Sequence, residues 1–502
     1  MPKSKENLRK LLENRALEYG DKIFLISEAD GREWSYSKFD KAVNRTADLL
    51  LSHGISKGDV VSLLLPNSAE YIIAYFACFK IGALAGPVNS LLKPDEIEFV
   101  VDNSESKLML VSSDRQPGLE RKTAGMPPQI IFDNVDDATA GMSDSLNGTD
   151  LEAEDEAIII YTSGTTGKPK GCLLTHGNLI ANARQITEWL GFGEDDRLLS
   201  VMPLFHMNAV SVTTMTALYA GASTVVSPKF SASRFWEIIE KYRITSFGSV
   251  ATMLSMLLAN AGSANKEPRT TNHLRFAMCG SAPVPAEVLR SFEDTFDCLV
   301  VEGYGLSEST CRSTFNPPDA SRRPGSCGKP IGNEMRVVDE NDRDVPDGEL
   351  GEIVLRGPNI FKGYFKNPEA TAKAFAGGWF HTGDIGYRDA DGFFFIADRK
   401  SDMIIRGGEN IYPREIDEVL YKHPAVAAAA VIGLPDKLYG EEVTAFVVLK
   451  NGSEAAETEL IDFCKQHLAD FKCPKTIHFL AEIPKGPTGK LLKRELAKLL
   501  PQ

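Results

Sequence analysis

The sequence predicts an α/β protein. A large N-terminal domain of helix-covered, mostly parallel sheets carries a β-rich subdomain and is followed by a small α+β C-terminal domain. Three observations predict it. Amphipathic helical stripes alternate with short apolar strands through most of the chain. After Gly332 the texture turns to strands and turns. From the quartet Asp398-Arg399-Lys400-Ser401 onward, helices with one apolar face interleave with strands in a smaller unit.

Residues 41–53 carry Ala42, Val43, Ala47, Leu50 and Leu51 at helical spacing, and 59–65 is an apolar run ending at Pro66-Asn67, a buried strand. A helix over 68–81, a strand over 84–88, a helix after Pro94-Asp95-Glu96 and a strand over 107–112 continue the rhythm. A second set follows, with strand 198–201, a helix near 209–220, strand 223–227 and helix 233–242, so two similar layers are expected. Between the sets, 136–156 is acidic and rich in Gly, Ser and Thr, a solvated connector. Beyond Gly332, strands are predicted at 335–339, 351–357 and 393–398. Pro413 opens a helix whose Ile416, Val419 and Leu420 share a face. Strands at 425–432, 442–449 and 476–480 flank a helix over 458–468. The domains are drawn at 1–398 and 399–502.

With 502 residues, 43% apolar and 25% charged, the chain can bury several cores, which excludes disorder and disulfide-stapled miniatures. Lys and Arg total 55 against 69 acids, a formal charge of −14. Bulk charge of that sign does not hold nucleic acid, so an anionic ligand must meet a local cationic site. The eight cysteines are scattered without a CxxC pair, which suits neither a zinc site nor a disulfide framework; a reducing cytoplasmic compartment is expected. The N-terminus lacks the apolar stretch of a signal peptide. Residues 71–88 and 198–228 are apolar, yet Lys80, Gly82, Gly86 and Pro87 interrupt the first, and Ser, Thr, Pro and Gly dot the second. Both are read as core or pocket lining, and no integral membrane segment is expected. Homodimerisation is left open.

The strongest motif is Tyr161-Thr-Ser-Gly-Thr-Thr-Gly-Lys-Pro-Lys-Gly171, where an apolar strand runs into a loop of small hydroxyl and glycine residues with two lysines. Glycines let backbone N–H groups turn inward as an anion nest, hydroxyls donate and lysines neutralise, which is chemistry for a polyphosphate. It is not a Walker A loop, because Gly164 and Gly167 are too close and Pro169 follows the lysine.

At this loop the sequence resembles the acyl-adenylate-forming superfamily, in its acyl-CoA synthetase branch. The resemblance covers essentially the whole chain. Pro203-Leu-Phe-His206, Gly280-Ser-Ala-Pro283, Glu302-Gly-Tyr-Gly-Leu-Ser-Glu308, Gly378-Trp-Phe-His-Thr-Gly-Asp384, Arg399 through Gly408, and Pro487-Thr-Gly-Lys490 follow in family order. Residues 230–245 and 367–408 look similar to carnitine- and crotonobetaine-CoA ligases, with fatty-acid–CoA ligases close by.

The resemblance implies an ATP-dependent acid–thiol ligase. It would make an acyl-CoA from a small carboxylic acid, ATP and coenzyme A through an acyl-adenylate, with Mg2+, releasing AMP and pyrophosphate. It assigns Thr162, Ser163, Gly164, Thr166, Gly167, Lys168 and Lys170 to the phosphates, and Glu308 with Thr165 to the magnesium ion. Tyr304 stacks on adenine, with Gly280, Ser281, Ala282 and Pro283 opposite and Glu302, Gly303 and Gly305 beside it. Asp384 and Arg399 clamp the ribose, and Lys490 bridges the substrate carboxylate and α-phosphate. For the thiol step the small domain rotates about a hinge near Arg399–Ser401, bringing Gly407, Gly408 and Glu409 to the adenylate. Ser401 departs from the Asp or Lys usual in the family. Lys437, Lys472 and Lys475 are candidates for the CoA phosphates, and His206 for a gate between the acyl pocket and the pantetheine tunnel.

The expected acyl pocket comprises His206, Met207, Asn208, Met215, Gly248, Ser249, Met278, Gly280, Ser281, Gly303 and Cys311. That lining carries no fixed charge, so a monocarboxylate of fatty or betaine type is favoured; Arg312 would meet a second carboxylate if it faced inward, and pairing at the surface is the preferred expectation. Alternatives are an aryl or dicarboxylate substrate, a carrier protein as acceptor (no carrier-like module follows Lys490), and a non-catalytic nucleotide-binding protein, which should have lost Lys490 or Glu308.

Overall fold

Two sheets built mainly from parallel strands make up the N-terminal part of this computed structural model, which describes residues 6–115, 126–162, 169–263, 273–281, 284–486 and 491–500. In the nine-stranded sheet Ile23–Ser27, Ser223–Val226, Arg197–Ser200, Ser246–Ser249, Phe276–Cys279 and Leu299–Tyr304 lie parallel in that order. Antiparallel strands close its edges, Glu33–Ser35 on one side and Thr314–Phe315 with Lys329–Pro330 on the other. In the seven-stranded sheet Glu156–Thr162, Leu84–Pro87, Val60–Leu64, Ser106–Val111 and Gln129–Ile131 run parallel. Lys170–Thr175 and Gly363–Tyr364 continue that sheet antiparallel. The two repeated sets read from the sequence are therefore two separate layers.

Apolar runs become buried strands because both faces of such a sheet are covered. Ser68 caps the helix Ala69–Ile81, accepting from Tyr71 N, and every residue of that helix is buried. Lys80 within it is buried with its Nζ 2.6 Å from both Asp40 Oδ1 and Asn44 Oδ1, so its charge is paired where it cannot be hydrated. Among the described residues no helix is long and apolar enough to cross a membrane.

Two local expectations need correction. In the helix Tyr36–Ser52, Ala42, Val43, Ala47 and Leu50 are buried but Leu51 is 42% exposed. At about 100° per residue it lies roughly 100° from the centre of the buried face. The helix expected near 209–220 is an α-helix only from Thr216 to Ala220; Asn208–Met215 is a π-helix. There, Thr214 Oγ1 donates to Ala209 O at 3.0 Å and Thr216 Oγ1 to Ser211 O at 2.9 Å, each reaching back five residues to carbonyls that the wider turn leaves within range.

The β-rich subdomain is a four-stranded antiparallel sheet of Glu334–Val338, Gly351–Arg356, Phe380–Arg388 and Phe394–Arg399. Beyond it the C-terminal part folds around its own core. Gly440–Leu449 is central, paired antiparallel with Val426–Asp436 and parallel with Thr476–Phe479. One face packs on Ile416, Val419 and Leu420 of the helix Pro413–Tyr421, and Phe446 meets Ile483 and Leu496 in a separate cluster.

Candidate active site

The C-terminal ends of adjacent parallel strands gather several of the assigned residues, the place where open α/β sheets bind ligands. Strand 197–200 leads to His206, strand 246–249 ends in Gly248 and Ser249, strand 276–279 leads to Gly280 and Ser281, and strand 299–304 ends in Gly303 and Tyr304. Tight turns at these ends demand glycine. A Cβ on Gly305 would lie 2.0 Å from Cys311 O, and one on Gly303 2.5 Å from the Phe315 ring.

The ribose pair forms across a hairpin. Asp384 and Arg399 are cross-strand partners in the four-stranded sheet, and Arg399 Nε lies 3.0 Å from Asp384 Oδ1. Tyr304 Oη donates to Asp384 Oδ2 at 2.6 Å, which ties this sheet to the end of the nine-stranded one. The Asp384 charge holds the Arg399 guanidinium above its ordinary value, while burial and the same carboxylate push the Tyr304 phenol up, keeping it a donor.

A second constellation surrounds Glu308. Its carboxyl is raised by burial, and Oε1 accepts from Tyr364 Oη at 3.0 Å. Lys170 Nζ sits 5.2 Å from the centroid of the same Tyr364 ring. Tyr364 thus lies between Lys170 and Glu308, and its pairing strand supplies the reason: Tyr364 lies opposite Cys172 on the edge of the seven-stranded sheet. The sequence reading did not single it out, since nothing near Tyr364 marks it as more than an aromatic.

The Glu308 carboxylate, which forms no ion pair among the described residues although the Arg399 charge acts on it, is a hard oxygen donor suited to magnesium, which characteristically takes one or two carboxylates and substrate phosphates. No cluster of three or more His, Cys, Asp or Glu gathers among the described residues, so the fit is to an ion shared with phosphate and not to a protein-only cage.

Other assignments find different surroundings. Glu302 is buried, accepts from Gly325 N at 3.0 Å and is pushed up to about 7 by burial. Ser281 has φ +68°, and Asn208 Nδ2 donates to its Oγ at 3.5 Å. Met207, Asn208, Met215, Met278 and Cys311 are buried, and the Ser249 hydroxyl is committed to Met278 O at 3.0 Å. Burial pushes His206 down to about 4, so it is neutral near pH 7, and its Nε2 has no partner among the described residues. Gly407 and Gly408, with φ +60° and +92°, form an exposed turn before Glu409. Lys472 is paired with Glu415 at 2.7 Å, and Lys475 faces Asp436 and Glu442. Among the described residues, neither the Gly407–Glu409 turn nor Lys472 makes a hydrogen bond or ion pair to the Tyr304 or Glu308 clusters. Thr162 ends its strand opposite Lys170. Ser163, Gly164, Thr165, Thr166, Gly167, Lys168, Ala282, Pro283 and Lys490 lie outside the described residues.

Arg312 is the clearest departure. Expected at the surface, it is 1% exposed and forms no ion pair among the described residues. The absence of any acid between Arg312 and Glu308 in sequence was the available signal.

Comparison with known proteins agrees with this geometry. The AMP-binding enzyme family matches residues 12–365, and the AMP-binding enzyme C-terminal domain matches 415–490. The chain belongs to this family of AMP-binding enzymes. It is 35% identical to the sulfoacetate–CoA ligase of Cupriavidus necator, over 99% of this chain and 98% of that protein. It is 36% identical to the crotonobetaine/carnitine–CoA ligase of Citrobacter koseri, over 98% of this chain and 99% of that protein. The crystal structure of ATP-bound MatB from Rhodopseudomonas palustris superposes with a TM-score of 0.92 at 32% identity, covering 98% of this chain and 99% of that one.

Proposed function

We propose that this enzyme joins a carboxylic acid to coenzyme A at the expense of ATP, in two half-reactions at one site. The observation that carries the reading is the proximity of two clusters: Tyr304–Asp384–Arg399, suited to a ribose, and Lys170–Tyr364–Glu308, suited to phosphates and a hard cation, with Arg399 and Asp384 close enough to act on the Glu308 charge. The full-length likeness to two CoA ligases and to an ATP-bound structure supports it.

In the first half-reaction an oxygen of the acid attacks the α-phosphorus of ATP. A P–O bond forms, the bond to the β-phosphate breaks, and pyrophosphate leaves. The acid is already ionised at pH 7, so no base is required; the work is positioning and charge neutralisation. Asp384, paired with Arg399, accepts from the ribose hydroxyls. Glu308 would hold a magnesium ion, which when bound would supply charge neutralisation at the phosphates. Lys170 adds positive charge, and the Ser163–Lys168 loop and Lys490 are assigned the phosphate and carboxylate contacts by their motifs. In the second half-reaction the thiolate of CoA attacks the acyl carbon and AMP leaves. Rotation about Arg399–Ser401 is the proposed means of exchanging Lys490 for the Gly407–Gly408–Glu409 turn. Neutral His206 separates acid and thiol without adding charge.

The test is product stoichiometry. Purified protein with ATP, magnesium, CoA and a panel of acids should yield AMP, pyrophosphate and thioester one for one, with no thioester and pyrophosphate limited to about one equivalent per site when CoA is withheld. ADP and phosphate as products would refute the reading, and a thioester formed only on a phosphopantetheinylated carrier would reassign the acceptor.

A further inference from the structure

We propose that Arg312 selects the acid by pairing with a second anionic group, a carboxylate or sulfonate, at the end remote from the carboxylate that is adenylated. The proposal rests on the acyl-pocket reading above and gives it a substrate class.

Arg312 is among the largest fully buried side chains of the protein. Its five N–H donors make one hydrogen bond, from Nη1 to Cys311 O at 3.3 Å. Nε and Nη2 have no partner among the described residues. Those two nitrogens share one edge of the guanidinium, the edge that grips a carboxylate or sulfonate through two parallel bonds. A buried charge left in this state is expensive, and a methionine or leucine would fill the same space without the cost.

The backbone under the side chain is held firmly. Asn182 Nδ2 donates to Arg312 O at 2.7 Å and Asn359 Nδ2 to the same oxygen at 3.1 Å. The guanidinium stacks 5.4 Å from the Phe315 centroid and reaches the acyl wall at Gly280, with Nη2 2.5 Å from where a Cβ would stand. A Cβ on Gly280 would also meet Gly303 O at 2.8 Å, so glycine at this strand end keeps room for both the backbone and the guanidinium. An acid lying over the strand end at Gly280 would be beside the unpartnered Nε and Nη2 edge. The neutral lining that favoured a monocarboxylate omits this one charge.

Matched acids provide the test: malonate, succinate and sulfoacetate against acetate, propionate and butyrate, on the full chain and on Arg312→Met and Arg312→Lys. Wild type should favour a dianion in kcat/KM for pyrophosphate release, and Arg312→Met should lose roughly 100-fold on that acid while monoanions change little. Arg312→Lys should recover part of the loss, and AMP binding should persist in both variants as the control for folding. Malonate or succinate leading identifies a carboxylate partner, sulfoacetate a sulfonate. A wild-type preference for monoanions, or a preference that survives Arg312→Met, overturns the proposal. If no acid releases pyrophosphate, the ligase reading fails and thermal shift decides Arg312 separately. A dianion that raises the melting temperature of wild type but not of Arg312→Met upholds it, and no such difference, or none between wild type and Arg312→Gln where the methionine variant does not fold, removes it.

Discussion

Single charges carry most of the proposed chemistry. Asp384 accepts from Tyr304 and pairs with Arg399, so Asp384→Asn should keep the fold while weakening nucleotide binding. Hydrogen bonds to a charged group are worth about 1.5–3 kcal/mol, which predicts a rise of roughly 10- to 100-fold in the KM for ATP, read from initial rates of pyrophosphate release. Burial sets two opposite pH dependences. Glu302 is pushed up to about 7 from an ordinary 4.5, so the stability it contributes is full below about 4.5 and is lost as pH rises through 7. Glu302→Gln should therefore raise the melting temperature at pH 8 and change little at pH 5, by at most about 3 kcal/mol at the higher pH. His206 and His176, both pushed down to about 4, act the other way: their contribution is full above 6.5 and is lost as pH falls through 4. Calorimetry across pH 4–8 separates the two limbs.

At the scale of elements, motif and geometry part company. The Glu302–Glu308 run is legible because the strand end, the turn and the acid must be consecutive to face one nucleotide, and the structure keeps them so. The turn has no slack, since a Cβ on Gly305 would meet the Cys311 carbonyl oxygen at 2.0 Å. Gly305→Ala should cost about 3 kcal/mol or more, because backbone is the obstacle and cannot rotate away; a thermal melt should fall accordingly, with loss of AMP binding. The π-helix Asn208–Met215 was not legible, because its apolar spacing is that of an α-helix and only the hydroxyls of Thr214 and Thr216 reaching back five residues distinguish it. Leu51 misled for a similar reason, since a stripe read from composition alone does not say where the buried face stops.

Over the whole molecule, the C-terminal part has its own core, and beside Ser401 the strand Phe394–Arg399 ends in hydrogen bonds from Lys400 N to Gly383 O and from Asp402 N to Arg399 O. If rotation there exchanges the two half-reactions, Ser401→Pro, which stiffens the backbone at that point, should leave adenylate formation within about threefold and slow CoA-dependent release at least about tenfold. Quench-flow measurement of adenylate and thioester distinguishes the steps, and equal slowing of both would argue against the hinge. The sequence by itself determined the two-layer α/β plan, the C-terminal unit and the order of the nucleotide motifs. Strand periodicity is local, and phosphate chemistry needs particular residues close together along the chain. Only the tertiary structure decided that Tyr364 links Lys170 to Glu308, and that Arg312 lies buried in the space Gly280 leaves open. Those facts depend on which strand ends meet, and burial of a charge is a property of neighbours far away in sequence.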